Sequence, residues 1–426
     1  CWSYDNKNIY YTTEDDTGRP SKVWKHSLRT SVKDDILLYE EKDVKYDISL
    51  TVSDDEKYIF INTGSSTTDE VYIINDSDIT LVSKRKKNIE YGLNHHDNKF
   101  YILTNKDDSK NFKIMVTDVC NTDKKTWKDF ISYDESVYIS SFDVFINYMV
   151  LECRKNGERF IKVINLRNNK FNIIKYDLEP NSIDSHSYLN SEFNTNKFYY
   201  TYTSYTVPER VYEYNMDTKK TKIIRDIKFS SFEPSLYGSE TLDINKDGLK
   251  IDIIYKKNLY KKDGTNPSLI YGYGSYGSNV SPEFDKYIIS LLDRGFVYGV
   301  VHVRGSSYMG IKWHDFGKLL KKKNTFKDFI ISVKYLIQHE YIHPNKVCIN
   351  GGSAGGLLIG AVINMNPELF SVAVLEVPFV DCLTTMLDPT IPLTTGEYEE
   401  WGNPLTNKKY YKYILSYSPI DNIKNL

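Results

Sequence analysis

The feature that most constrains the fold is a strand motif that returns at long, nearly constant intervals through the first half of the chain. In each copy, a polar turn rich in Asp, Asn and Lys precedes an aromatic strand, a gap and a second strand. The copies centre on Tyr10, Tyr58, Phe100, Tyr148 and Phe198. These centres are about 42 to 50 residues apart, which is the length of a four-stranded propeller blade. The spacing predicts a β-propeller; a β-sandwich, which also has many short strands, is the alternative.

Five copies are few for a closed propeller ring, and the first copy begins in the middle of the motif. The chain also opens at Cys1 rather than at a methionine. We therefore expect the chain to be a fragment, with further blades preceding it in the natural protein.

From about residue 265 the pattern changes to short apolar strands separated by helical segments. Strands are predicted at 268–271, 295–303, 346–350 and 372–376, and apolar residues at helical spacing predict a helix at 325–339. Strands that alternate with helices indicate a parallel sheet with right-handed crossovers. The second half is therefore predicted to be an α/β domain.

A Gly-x-Ser-x-Gly motif at Gly351–Gly355 is the sharpest chemical signal. A predicted strand ends just before it and a predicted helix, at about 355–365, follows, which is the context of a nucleophile elbow. Small neighbours let the backbone turn tightly and expose the Ser353 hydroxyl, while the N–H of Ala354 points at a developing oxyanion. The alternative is an ordinary strand–helix turn.

A serine nucleophile needs a histidine base, and in α/β-hydrolases this histidine follows the serine along the chain. None of the eight histidines follows Ser353. His302 and His314 lie in the second half but precede the serine, so they are predicted to be structural. The chain therefore contains a candidate nucleophile without its base.

Two further segments are ambiguous from their residues alone. Tyr271–Gly277 is a glycine-rich turn in which a tyrosine hydroxyl either donates to an oxyanion or packs over the turn. Gly396–Trp401 contains three carboxylates beside two aromatic residues. If that segment is extended, Glu397 and Glu399 point the same way and can pair with a Lys or Arg side chain. A solvated acidic loop is the alternative.

Composition argues against several other classes of protein. Lys and Arg number 55 and Asp and Glu 57, a net charge of -2 that is not typical of a nucleic-acid binder. No apolar run reaches the ~18 residues of a membrane span. The five cysteines are far apart and lack metal-ligand spacing, which indicates no disulfide framework and no zinc site and favours a reducing, cytoplasmic location.

Two local patterns are interpreted as structural. Asp243–Gly248 resembles the start of a calcium loop, but the twelfth position is Ile254 rather than Glu, so a β-turn is predicted. Lys321–Lys323 lies just before the predicted helix and is expected to form a solvated face.

Several of these motifs together resemble the prolyl oligopeptidase family of serine peptidases, and its oligopeptidase B members in particular. The similarity covers nearly the whole chain. It is carried by Tyr271–Gly277, Asp293–Val297, the elbow at Gly351–Gly356, Val377–Asp381 and the run Ile391–Pro404. The resemblance implies a seven-bladed propeller that caps an α/β-hydrolase domain. We expect a partial propeller over residues 1–235 and a partial hydrolase domain over 236–426.

The resemblance also implies a function: cleavage of short peptides after Lys or Arg, without cofactor or metal. Ser353 would be the nucleophile, and the Tyr273 hydroxyl and the Ala354 N–H would bind the oxyanion. Glu397 and Glu399 would recognise the basic side chain. Glu283 would belong to a second subsite, which binds an additional basic residue of the substrate. It is the single acidic residue in that segment, so no preference for a second basic residue is predicted.

The catalytic Asp and His of the family would lie beyond Leu426, so the 426-residue chain is expected to be inactive by itself. Short basic peptides are the expected partners, with no nucleic acid and no membrane. Two alternatives stay open: a post-proline or dipeptidyl peptidase of the same superfamily, and a catalytically inactive propeller scaffold.

Overall fold

The computed structural model describes residues 1–176, 179–230 and 232–423. Its first part consists of antiparallel sheets that follow one another along the chain, one of three strands and four of four strands. The strands of the first three sheets are β1 (Asn8–Glu14), β2 (Pro20–Ser27) and β3 (Ile36–Glu40); β4 (Asp47–Val52), β5 (Ile59–Gly64), β6 (Asp69–Asn75) and β7 (Asp78–Ser83); and β8 (Tyr91–His96), β9 (Lys99–Thr104), β10 (Lys113–Asp118) and β11 (Lys128–Ile131). The strands of the next two sheets are β12 (Tyr138–Phe145), β13 (Tyr148–Lys155), β14 (Glu158–Asn165) and β15 (Phe171–Ile174); and β16 (Asn181–Ser185), β17 (Lys197–Ser204), β18 (Arg210–Asn215) and β19 (Lys220–Asp226).

These sheets stack face to face, because alternate residues of a strand point to opposite faces of its sheet. In β5, Ile61 packs in an apolar cluster with Val23 of the preceding sheet, whereas Phe60 packs in another cluster with Phe100 of the following sheet. The second, third and fourth sheets thus each share one core with the sheet before and another with the sheet after. This is blade packing, and it confirms the propeller prediction over the two-layer sandwich.

The repeated aromatic positions have the same place in successive blades. Phe100, Tyr148 and Phe198 lie in β9, β13 and β17, each the second strand of a four-stranded sheet, and Tyr58 directly precedes β5. Tyr10 lies in β1, the first strand of the three-stranded sheet. The interval of about 42 to 50 residues between the aromatic centres is therefore the number of residues from one blade to the next.

The second part is a six-stranded sheet with helices, which confirms the α/β prediction. Its strands are β20 (Tyr237–Asp243), β21 (Lys250–Lys256), β22 (Ser268–Tyr271), β23 (Val297–Val301), β24 (Val347–Gly352) and β25 (Val372–Glu376), in the spatial order β20-β21-β23-β22-β24-β25. The α-helices are α1 (Lys286–Leu292), α2 (Ile311–Asp315), α3 (Lys323–Gln338), α4 (Ala354–Met365), α5 (Cys382–Leu387), α6 (Tyr398–Trp401) and α7 (Lys408–Leu415). Short 3-10 helices lie at Val32–Asp34, Ser187–Leu189, Pro234–Leu236, Leu319–Lys321, Pro367–Leu369 and Pro419–Asn422.

The prediction of a parallel sheet is confirmed for its four strands, and an antiparallel hairpin that was not predicted extends the sheet at one edge. β22, β23, β24 and β25 pair in parallel, but β21 pairs antiparallel with both β20 and β23. β20 and β21 form a hairpin across the turn at 243–250, where a β-turn was predicted. The parallel strands were predicted from the helical segments between them. Two strands of a hairpin are joined by a short turn without such a helix, so this hairpin was not predicted.

Helix α4 packs in the centre of this domain and follows the candidate nucleophile directly. Leu357, Leu358 and Ile359 are completely buried, in one cluster with Phe329 of α3 and Ile349 of β24. The start of α4 is consequently held between the sheet and α3, and the residue that precedes it has little freedom to move.

Candidate active site

Ser353 lies in a sharp turn between β24 and α4. Its backbone has φ 52° and ψ -120°, a conformation that L-residues rarely adopt. Such strain costs on the order of 1–3 kcal/mol and persists where the surrounding structure imposes it. The Ser353 side chain is exposed, whereas the next residue, Ala354, is buried. The turn therefore presents the hydroxyl at the surface of a rigid core.

Three glycines of the run Gly351–Gly356 are required by close contacts, and one of them is Gly351, where a Cβ would lie 2.4 Å from the Gly355 carbonyl oxygen. A Cβ at Gly355 would lie 2.7 Å from the Gly272 carbonyl oxygen, and a Cβ at Gly356 would lie 2.4 Å from the Cβ of Pro378. A Cβ at Gly352, by contrast, would meet no atom closer than 3.6 Å. Only some of the glycines in this run are thus demanded by packing.

The backbone on both sides of Ser353 is anchored. Its N–H donates to the Glu376 carbonyl at 2.9 Å, and its carbonyl accepts from the N–H of Phe379 at 3.0 Å. Ala354 is the first residue of α4, so its N–H has no intrahelical acceptor and lies at the positive end of the helix dipole. This N–H is available to an oxyanion formed beside the serine.

Tyr273, two residues beyond β22, approaches the same serine. Its half-buried side chain lies close enough to Ser353 for the serine side chain to act on the pKa of Tyr273. Burial raises the pKa of the Tyr273 hydroxyl, so this group stays a neutral donor near pH 7. The fold therefore brings together Ser353, Ala354 and Tyr273, which come from two separate strand ends.

The acidic segment at 396–401 does not meet the condition under which Glu397 and Glu399 would point the same way, because residues 398–401 form helix α6 rather than an extended strand. Glu397 and Glu399 therefore have different surroundings. The Glu397 carboxylate accepts a hydrogen bond from Trp401 Nε1 at 3.0 Å. Burial raises the pKa of Glu397 above its ordinary value, although hydrogen bonds from Trp401 and Tyr276 act against this.

Glu399 binds to the propeller instead. One of its carboxylate oxygens accepts hydrogen bonds from Ser66 Oγ and Thr67 Oγ1, both at 2.8 Å. These two residues lie in the turn between β5 and β6. Glu399 is thus a link between the propeller and the α/β domain.

Glu400 is the most deeply buried carboxylate of this segment, with only 5% of the residue exposed. It accepts hydrogen bonds from the Tyr276 N–H at 3.0 Å and from His314 Nε2 at 2.7 Å. Burial by itself would raise the pKa of Glu400, but the bond from His314 and the charge of Lys322 lower it below the ordinary value. The sequence contained no signal that separated Glu400 from its neighbours, because the short helix was not predicted.

Every histidine of the chain is hydrogen-bonded away from Ser353. The partners are Asp35 for His26, Asp55 for His95, the Ile146 carbonyl for His96, Thr201 for His186, Asp252 for His302, Glu400 for His314, the Tyr335 carbonyl for His339 and the Asn345 N–H for His343. Within the described residues, no imidazole is therefore placed to act as the base of Ser353.

A cavity of about 1300 Å³ lies between the propeller and the α/β domain and is lined by residues of both. The acidic segment forms part of its wall, together with Tyr276 and His314, and the propeller side includes Ser66, Thr67 and Tyr138. Ser353 and Tyr273 do not line this cavity, but Tyr276 belongs to the same loop as Tyr273. The cavity therefore lies next to the serine site.

Glu283 is not part of this arrangement. Its side chain is exposed, and its negative charge acts on Arg159 of β14, which also donates to Ser281 Oγ at 2.9 Å. Glu283 does not line the cavity.

The structure corrects the interpretation of the lysine run. Lys321 is exposed, but Lys322 is 1% exposed and bonded to the loop at 271–277, so the run is not a solvated face. Across the described part of the chain, no three His, Cys, Asp or Glu side chains are grouped to hold a metal ion, and no helix is long and apolar enough to cross a membrane. All five cysteines are free thiols.

Comparison with known proteins assigns both halves of the chain to one family. Residues 1–226 match the family model of the prolyl oligopeptidase N-terminal β-propeller domain, and residues 282–426 match that of the prolyl oligopeptidase family. The chain belongs to the prolyl oligopeptidase family. This confirms the resemblance found in the sequence.

Individual members of this family are similar over almost the entire chain. Dipeptidyl aminopeptidase BI of Pseudoxanthomonas mexicana is 38% identical over 99% of this chain and 59% of its own length. Protease 2 of Moraxella lacunata is 36% identical over 99% of this chain and 61% of its own length. The solved structure of oligopeptidase B from Leishmania major superposes with a TM-score of 0.94 at 31% identity, over 99% of this chain and 61% of that one. The chain thus spans about three fifths of the length of these relatives.

Proposed function

We propose that this chain is part of a serine oligopeptidase that cleaves short peptides after Lys or Arg through an acyl-enzyme. The observation that carries the proposal is the strained, exposed Ser353, which lies beside Tyr273 and immediately precedes the free N–H of Ala354. Ser353 is the nucleophile, and the two donors stabilise the negative charge of the tetrahedral intermediate. The proton of Ser353 needs a base that the described residues do not supply, so the 426-residue chain alone is expected to be inactive.

The preference for a basic residue rests on the acidic wall of the cavity. A buried Lys or Arg side chain must be paired with a carboxylate, and Glu397 and Glu399 are both accessible from the cavity. Glu397 has no basic partner among the described ion pairs, whereas Glu399 is bonded to Ser66 and Thr67. Glu397 is therefore the stronger candidate, and Glu399 contributes when released from the propeller. Glu283, which is exposed, is at most an outer contact for a second basic residue.

In this proposal the propeller restricts substrates by size, because its residues, Ser66 and Thr67 among them, form one wall of the cavity beside the serine site. Short peptides enter and folded proteins do not. The five free thiols are consistent with a reducing compartment, and we place the protein in the cytoplasm.

A dipeptidyl peptidase is the second candidate, since one relative is a dipeptidyl aminopeptidase. Chromogenic peptides with Arg, Lys, Pro or Phe before the scissile bond, each with a free or a blocked N-terminus, test both with the complete gene product. The proposal predicts fast cleavage of blocked Arg and Lys peptides. Cleavage of the free N-terminal dipeptides alone favours the second candidate, and preference for Pro excludes basic specificity. If no peptide of the panel is cleaved, the protein is an inactive scaffold.

A further inference from the structure

Lys322 is buried directly beneath the loop that carries Tyr273. Only 1% of the residue is exposed, although Lys321 beside it is exposed and Lys323 is half-buried. An ammonium group is costly to bury unless it is hydrogen-bonded. A buried lysine in this position therefore indicates that its hydrogen bonds have a specific structural role.

The contacts of Lys322 show what it holds. Its Nζ donates to the Gly274 carbonyl and to Ser275 Oγ, both at 2.6 Å. Both acceptors belong to the loop after β22, and Gly274 directly follows Tyr273. The ammonium therefore fixes the Gly274–Ser275 peptide unit, which begins one residue after Tyr273.

The same ammonium also contacts the acidic segment. It lies 4.9 Å from the centre of the Trp401 ring, a cation–π contact. Trp401 Nε1 is 3.0 Å from a carboxylate oxygen of Glu397 and 3.2 Å from the hydroxyl of Tyr276. Lys322 thus lies between the loop with the oxyanion donor and the helix beside the acidic pocket.

We propose that Lys322 is a positioning residue that holds Tyr273 in register with Ser353. This rests on the proposed function, in which the Tyr273 hydroxyl binds the oxyanion. Lys322 reaches Tyr273 only through the loop, since both of its hydrogen bonds are to Gly274 and Ser275, whereas its contact with Trp401 faces the acidic segment. Releasing the loop displaces the hydroxyl, and a misplacement of about 1 Å costs on the order of 10²-fold in rate.

Lys322→Met, which keeps the length of the side chain and removes its donors, is the first test, with Lys321→Met as the matched control. We expect kcat on an Arg peptide to fall by roughly 10- to 10²-fold with little change in KM, because the lost interaction is made in the transition state. Lys321→Met keeps wild-type kcat. The melting temperature of Lys322→Met is expected to stay close to that of the wild type. Burial lowers the pKa of Lys322 to about 8, which shows that burying the ammonium is unfavourable, and the apolar methionine avoids this cost while it loses the two hydrogen bonds.

A folded Lys322→Met with wild-type kcat overturns the proposal. If Lys322→Met does not fold, Ser275→Ala removes one of the two acceptors, and a several-fold lower kcat at unchanged KM is expected; unchanged kcat contradicts the proposal.

A double-mutant cycle then asks whether Lys322 works through Tyr273. If it does, Lys322→Met lowers kcat in the wild-type background but has no further effect in Tyr273→Phe. Effects that multiply would mean that Lys322 acts elsewhere. The same cycle separates the two hypotheses: wild-type kcat in Tyr273→Phe contradicts the role proposed for Tyr273, whereas an impaired Tyr273→Phe beside an unimpaired Lys322→Met overturns the role of Lys322 alone.

Discussion

The elbow at 351–356 and the acidic segment at 396–401 both belong to the proposed active site, but their geometries are held in different ways. The elbow is shaped by contacts of adjacent elements, with Gly355 and Gly356 packed against neighbouring backbone and Pro378. Two carboxylates of the acidic segment are held by partners far away in the chain, Ser66 at 333 residues for Glu399 and His314 at 86 residues for Glu400. The comparison teaches that a local motif can specify a nucleophile, whereas specificity in this fold depends on how the domains meet.

The largest effect is expected at the elbow. Ser353→Ala in the complete gene product should reduce peptidase kcat by about 10⁴–10⁶-fold, because no other group replaces the nucleophile. The exposed side chain contributes little to the core, so circular dichroism and thermal unfolding should be unchanged. Unaltered turnover would remove Ser353 from the mechanism, and a collapsed fold would show that the turn is only structural.

The second prediction tests whether local packing shapes the elbow. Gly356→Ala places a Cβ within 2.4 Å of Pro378 and should lower the free energy of unfolding by about 1–3 kcal/mol or more, with loss of activity. Gly352→Ala is the matched control, since its Cβ meets nothing closer than 3.6 Å. Denaturant unfolding of both variants gives the difference; equal stability would mean that the turn adapts.

The third prediction separates the two carboxylates of the acidic segment. Glu397→Gln keeps the shape and removes the charge, so the ratio of kcat/KM for an Arg peptide over its neutral analogue should fall by roughly 10- to 10²-fold. This corresponds to the ~1.5–3 kcal/mol of a charge-assisted hydrogen bond. A ratio that does not change would place the basic-residue pocket elsewhere.

Glu399→Gln should have a smaller effect on this ratio, roughly threefold or less, because Glu399 is already bonded to the propeller. Ser66→Ala combined with Thr67→Val is the complementary change. It frees Glu399 and should raise the preference for Arg by a few-fold. If Glu399→Gln instead matches Glu397→Gln, both carboxylates bind the substrate and the contact with the propeller does not compete.

The smallest effect is a pH dependence. Burial raises the pKa of Glu397 above 4.5, and only the ionised carboxylate, present above that pKa, attracts an Arg side chain. The preference for Arg over a neutral residue should therefore decline on acidification at a pH above the ordinary glutamate range. In Glu397→Gln the preference should not vary over the same interval. The measurement is the kcat/KM ratio against pH in the two proteins.

Much of the fold was predictable because local periodicity reports local structure. The aromatic centres revealed the blades, since each blade repeats the same alternation of buried residues. The predicted strand at 268–271 is β22, and the predicted helix at 325–339 is α3 within two residues at each end. The hairpin of β20 and β21 was missed, because its strands are joined by a short turn rather than by a helical segment.

The candidate site, like the fold, was predicted from the sequence only in part. Ser353 and Ala354 were found in the sequence, because the strand, the tight turn and the helix that position them are consecutive. The burial of Lys322, the bond from His314 to Glu400 and the attachment of Glu399 to the propeller were not found. Each depends on segments that are far apart in the chain, and the charge of a side chain does not reveal which distant group will compensate it. Packing between the domains therefore determines which of three neighbouring glutamates is free for a substrate.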